Sequence, residues 1–135
     1  MLTHAKRKIA LEVLEAVATL PVMLLILGAV VNLGMAVYAQ QAVQNAANYG
    51  ARMGSTSVAC RSCEAARAAW TSLSQSGVHS PGVAIEAPGG VVGSTLRIRA
   101  SGEVPNLMGG LMAFFGQSSG SIHVSAVATF RAEGW

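Results

Sequence analysis

Aspartate is absent from this 135-residue sequence, and charged residues of all kinds make up only 11% of it. The later glutamates, Glu64, Glu86, Glu103 and Glu133, stand far apart in the chain. Paired carboxylates for acid–base chemistry are therefore missing, and no serine sits in a nucleophile motif. Arg52 and the arginines after it form no basic cluster. A pI near 9.3 accordingly does not mark a nucleic-acid or anionic-lipid surface. His79 and His123 lack the paired spacing of zinc ligands. These absences weigh against an enzyme, a cofactor, a metal site, nucleic acid and a small-molecule substrate. What the chain has in excess is apolar residues, 52% of the total, more than a soluble domain of this length carries.

The excess is local. From Ala16 to Ala39, "AVATLPVMLLILGAVVNLGMAVYA", the Tyr38 phenol is the only ionisable group. As a helix this stretch extends about 36 Å, against a hydrocarbon core of about 30 Å. Buried core helices rarely hold so long a wholly apolar run, so the segment reads as a membrane span. Lys6, Arg7 and Lys8 precede it. By the positive-inside rule they hold the N-terminus in the cytoplasm, and everything beyond Tyr38 is exported. Membrane lipid is the first expected partner.

A secretory signal cut after Ala39 is the competing reading, because "VYA" suits signal peptidase. Against it, the apolar stretch is about twice the length of a signal core. Glu12 and Glu15 also stand where a signal should be basic. Glu12 reads as an interfacial, snorkelling side chain beside Lys8. Glu15 opens the apolar run, six residues before Pro21, and a carboxylate at the edge of hydrocarbon needs a partner. Cleavage between Ala10 and Leu11 would place a new amine four residues before it. One subunit's Glu15 would then neutralise the amine of the next.

Type IV pilins set their subunit register in this way, and "ALEVLEAVATLPVMLLILGAVVNLGMAVYAQQAVQNAANYGAR" resembles the N-terminal part of the TadE-like proteins. These are pilin-like components of the tight-adherence (Tad, Flp) pilus system. The matching residues are Glu15, Pro21, Gly28, Gly34, Ala46, Ala47, Gly50, Ala51 and Arg52. The segment "SAVATFRAE" also resembles the family's C-terminal end. One departure concerns processing: Ala10 stands where the family's cleavage site usually has Gly. The resemblance implies a basic leader removed by a prepilin peptidase, and other pilin-like subunits and pilus assembly proteins as partners.

Past the span, Ala39, Val43, Ala46 and Gly50 recur at four-three-four spacing as a narrow stripe of small residues, with Gln41, Gln44, Asn45 and Asn48 on the other side. Such a stripe lets another backbone approach closely. The helix is expected to run unbroken to about Met53 and pack on a neighbour, with Gly50 and Gly54 then allowing a turn. Pro21 is expected to kink the span. Asn32 is alone at mid-depth and bonds either a partner helix or its own backbone.

The remainder reads as a small α+β domain. Cys60–Gln75 has helical periodicity, with Ala66, Ala69, Trp70 and Leu73 on one face and Ser57 or Ser55 as its cap. Residues 83–87, 95–104 and 121–133 alternate with period two. They predict a three-stranded antiparallel sheet with one face buried under the Trp70 helix. Leu96, Ile98 and Ala100 share one inner face, and Ile122, Val124, Ala126, Ala128 and Phe130 another. Glu86, Arg97 and Arg99 read as exposed cross-strand pairs. "NLMGGLMAFFG" (106–116) reads as a short helix completing the core, with a membrane or partner contact as the alternative. Cys60 and Cys63 form the one CxxC. A redox pair or half a zinc site is open to it, but no strand precedes it as in a βαβ redox unit, and the exported setting favours a disulfide.

The expected organisation is a basic leader over residues 1–10, a transmembrane and extended helix over 11–54, and an exported α+β domain over 55–135. The expected protein is a non-enzymatic TadE-like minor pilin or pseudopilin, single-pass in the bacterial cytoplasmic membrane and acting in assembly of an adhesion pilus. Its rivals are an exported adaptor outside any pilus and a tethered thiol oxidoreductase.

Overall fold

The computed structural model describes residues 2–110 and 120–133, with residues 2–11 given by their helical backbone alone. Among the described residues two helices and three strands follow one another: α1 (Leu2–Thr56), α2 (Arg61–Gln75), β1 (His79–Pro88), β2 (Thr95–Val104) and β3 (Ile122–Arg131). This is the α+β order expected from the sequence.

The first helix has 55 residues and is about 80 Å long. Pro21 lies inside it without ending it. It costs the helix a backbone bond, because proline has no N–H to offer the carbonyl one turn earlier, and its ring crowds that carbonyl. The helix passes through both Gly50 and Gly54 and stops where hydroxyls take over the last carbonyls. Ser55 Oγ donates to the Arg52 carbonyl at 2.8 Å and Thr56 Oγ1 to that of Met53 at 3.1 Å. The expected turn at these glycines is thus replaced by continued helix.

The sheet has the order β1-β2-β3, antiparallel throughout. The β2–β3 register is unbroken from Thr95↔Arg131 to Val104↔Ile122. Strand β1 is longer than the expected 83–87. It is irregular in two places, between His79 and Gly82 and between Ile85 and Ala87, and Ser80 has φ of +47°. These bulges let a Pro- and Gly-containing stretch pair with β2 where strict alternation would not reveal it.

Along β2 and β3 the inward residues Leu96, Ile98, Ala100, Val104, Val124, Ala126 and Ala128 are buried, while Phe130 is exposed. The expected inner face is therefore correct up to its last member. What covers the sheet differs from expectation. The C-terminal part of α1 lies over β3 and β2, and α2 covers β1 and part of β2. The core is made of α1 residues Ala39, Val43, Ala46, Ala47 and Ala51 together with Ala65, Ala69 and Leu73 of α2. Trp70 is half exposed, not the core anchor that helical spacing implied.

Candidate functional site on the long helix

Three stretches of α1 carry different environments. In the first, residues 12–27 are all exposed, including Leu14 at 69% and Met23 at 72%. This is the part of the one described helix long and apolar enough to cross a membrane. Glu12 and Glu15 lie at its start, both exposed. Thr19 Oγ1 donates to the Glu15 carbonyl at 3.0 Å, a bond inside the helix that leaves the Glu15 carboxylate unengaged by it. The side chains of Ala10 and Leu11, and of the leader residues before them, lie outside the described residues.

The second stretch touches the domain lightly. A Cβ on Gly28 would meet the Met108 side chain at 3.8 Å, whereas one on Gly34 would meet nothing within 4 Å. Asn32 was expected to bond a partner helix or its own backbone. It does neither: its Nδ2 donates to Asn106 Oδ1 at 3.0 Å, and its Oδ1 accepts from the Leu107 amide at 3.3 Å. The loop after β2 reaches back along α1 and brings both donor and acceptor to it, a long-range pairing that no local pattern encodes.

In the third stretch the small-residue stripe is buried. Ala39, Val43 and Ala46 are at most 2% exposed, and Gly50 and Gly54 are buried beside them. The neighbour is α2 and the sheet of the same chain. A Cβ on Gly50 would lie 2.6 Å from both the Ala65 carbonyl oxygen and the Ala69 Cβ. One on Gly54 would lie 2.5 Å from the Ala65 Cβ, 2.7 Å from the Arg61 carbonyl oxygen and 2.7 Å from Leu96 Cδ2. Two glycines on α1 therefore cross two alanines on α2, both at four-residue spacing. This lets the backbones approach as small-residue pairs do in membrane helices. At the crossing itself α2 presents Ala65 and Ala69, and Trp70 beside them is turned outward.

The CxxC sits at the head of α2. Cys60 and Cys63 are joined by a disulfide, and Cys60, not Ser55 or Ser57, caps the helix, its Sγ accepting from the Cys63 amide at 3.2 Å. Nearby, the Arg61 guanidinium donates to the carbonyls of Gly90 at 3.0 Å and Glu133 at 3.2 Å. It ties α2 to the β1–β2 turn and to the segment after β3. One helical turn on, Glu64 holds Arg67 at 2.7 Å; this hydrogen bond, with the charge attraction behind it, raises the exposed Arg67 guanidinium above its ordinary range.

The outer sheet face is polar. Glu86 bridges Arg97 at 2.9 Å and Arg99 at 2.6 Å, since the bulge at Ile85/Ala87 sets it between them. His79, Glu103 and His123 are register partners across the three strands, with His123 Nδ1 3.2 Å from Glu103 Oε1. Among the described residues no group of three His, Cys or Glu side chains is arranged to hold a metal ion.

These observations concentrate on α1, and so does its kinship. Residues 13–52 match the family model described as TadE-like protein. The match bears out, over these residues, the resemblance read from the sequence. It covers the exposed apolar stretch, Asn32 and the buried stripe as far as Arg52, and stops before Gly54. No curated protein and no solved structure matches the chain.

Sequence reasoning placed the stripe but missed what it meets. Gly50 and Gly54 share their four-residue spacing with Ala65 and Ala69, which suits the crossing but does not single out α2 as the partner. Asn106 and Arg61 carry no signal in the sequence, because their partners are distant in the chain.

Proposed function

We propose that this chain is a membrane-anchored, non-enzymatic minor pilin or pseudopilin of the TadE-like kind, acting in assembly of a Tad/Flp adhesion pilus through helix packing. The observation that carries the reading is the coincidence of the TadE-like match with a helix whose residues 12–27 project uncovered from the domain. So much apolar surface must be covered by lipid or by other helices. The buried stripe is used within the chain, so intersubunit packing falls to the uncovered stretch that contains Glu15 and Pro21, with Gly28 and Gly34 at its upper end. In this reading the N-terminus faces the cytoplasm and the domain lies outside the inner membrane, an orientation that Lys6, Arg7 and Lys8 support.

In this reading a prepilin peptidase cuts between Ala10 and Leu11, removing all three Lys/Arg residues of the leader. Glu15 then pairs with the new amine of an adjacent subunit. Left unpaired there it would cost on the order of a few kcal/mol, and a loss of only about 1.4 kcal/mol lowers incorporation about tenfold. N-terminal sequencing of protein co-produced with its prepilin peptidase tests the proposal. A start at Leu11 supports it, a start at Gln40 means an ordinary signal peptide, and retention of Met1 means a simple anchor. Glu15→Gln should insert normally yet enter the pilus machinery at least about tenfold less well. Incorporation equal to the parent would remove the pairing role.

A further inference from the structure

The loop after β2 raises a problem of depth. The expected span, Ala16 to Ala39, would carry hydrocarbon up to the level of Ala39. Yet Met35, Tyr38 and Ala39 line one hollow with His79 and Glu103, and Glu103 faces His123. Ionisable groups of this kind do not sit in hydrocarbon without a large cost. The apolar boundary must therefore fall below Met35. Counting back about 30 Å of helix from Asn32 reaches Glu12, which puts both glutamates at the opposite edge.

With the boundary at Asn32, part of the domain lies on the hydrocarbon side. Leu107, 59% exposed, and Met108 form an apolar cleft of about 350 Å³ with Leu24, Leu27, Gly28 and Val31. Gly28 is one turn below Asn32, about 6 Å deeper. From Pro105 to Gly120 the sequence has no charged residue.

Irregular backbone is tolerated at membrane depth only where its polar groups are satisfied within the protein. In this loop the amides of residues 107–109 are. Pro105 has no amide hydrogen. The Leu107 amide donates to Asn32 Oδ1 at 3.3 Å, that of Met108 to Asn106 Oδ1 at 3.1 Å, and that of Gly109 to the Asn106 carbonyl at 3.0 Å. Asn32 Nδ2 closes the set on Asn106 Oδ1. Two asparagines thus cap three consecutive amides, two of them with side-chain oxygens.

We infer that the loop at Leu107 and Met108 is seated in the outer leaflet beside α1, with lipid acyl chains in its cleft and the Asn32–Asn106 pair marking the membrane boundary. The inference rests on the membrane-anchor part of the proposed function. It gives the protein a second membrane contact, which holds the sheet at one height and limits the tilt of helix and domain as one body.

The test uses the full chain with its native disulfide intact, carrying a single added cysteine labelled with the fluorophore NBD. Leu107→Cys, Val22→Cys and Val91→Cys are compared in vesicles of phosphatidylcholine and phosphatidylglycerol containing spin-labelled phosphatidylcholine. Val22 should be quenched from deep in the bilayer and Val91 not at all. Leu107 should show blue-shifted emission and be quenched most by the spin label nearest the headgroup. An unquenched Leu107 beside a quenched Val22 overturns the inference and leaves the anchor standing. If Val22 is also unquenched, anchor and inference fall together. A Leu107→Cys chain that escapes quenching yet cross-links to a second copy under oxidant assigns the cleft to a partner helix instead. Asn106→Ala should move the Leu107 emission toward that of Val91; no change would remove the boundary role of the asparagine pair.

Discussion

Gly54 of the long helix lies so close to Ala65 of α2 that a methyl group on Gly54 would come within 2.5 Å of the Ala65 Cβ. The contact joins the membrane-directed helix to the domain and sets how far apart the two helices stand. Leu96 of β2 closes the same point from the sheet. The domain is therefore fused to α1 along a packed seam.

The seam makes glycine at position 54 a requirement of space. Gly54→Ala gains about 1 kcal/mol of helix propensity but overpacks the crossing at a cost of about 1–3 kcal/mol. With three groups under 3 Å, all of them backbone or buried core, overpacking wins. Thermal unfolding in detergent should show Gly54→Ala below the parent. Gly34→Ala, with nothing within 4 Å, should be equal to it or slightly more stable. An unchanged melting temperature for Gly54→Ala would contradict the crossing.

The two large residues of α2 should respond in opposite order to their size. Leu73 is fully buried, so Leu73→Ala should cost about 2–5 kcal/mol. Trp70 is half exposed, and Trp70→Arg, whose aliphatic stem covers part of the same surface, should cost less. Urea unfolding of both variants decides the order. A larger loss for Trp70→Arg would return Trp70 to the core.

The disulfide offers a measurement of stability and of orientation at once. Closing the short Cys60–Cys63 loop contributes about 2 kcal/mol by chain entropy, and reduction should lower the stability of the domain by about that much. Non-reducing mass analysis should find a monomer two hydrogens lighter than the dithiol. After reduction, a membrane-impermeant thiol reagent applied to spheroplasts should label the pair, and labelling only after permeabilisation would reverse the topology.

The local periods follow from the order of residues alone. A run of apolar residues too long for a soluble core, small residues at four-three-four spacing, and alternation over 95–104 and 121–133 lead to α1, its buried stripe and two of the strands. These patterns are legible because each residue's environment there follows from its near neighbours on one helix face or one side of a strand. Tertiary structure alone decided what the stripe meets, because a helix face of small residues fits a second subunit and the chain's own α2 equally well. It also decided that Trp70 turns outward, since that depends on how the two helices pack. The partner of Asn32 was settled in the same way, by a loop 74 residues along the chain that brings Asn106 to it. Helix and strand periods are one-dimensional properties of the chain. Separation, depth and partnership depend on which elements fold back on one another, and no local pattern contains them.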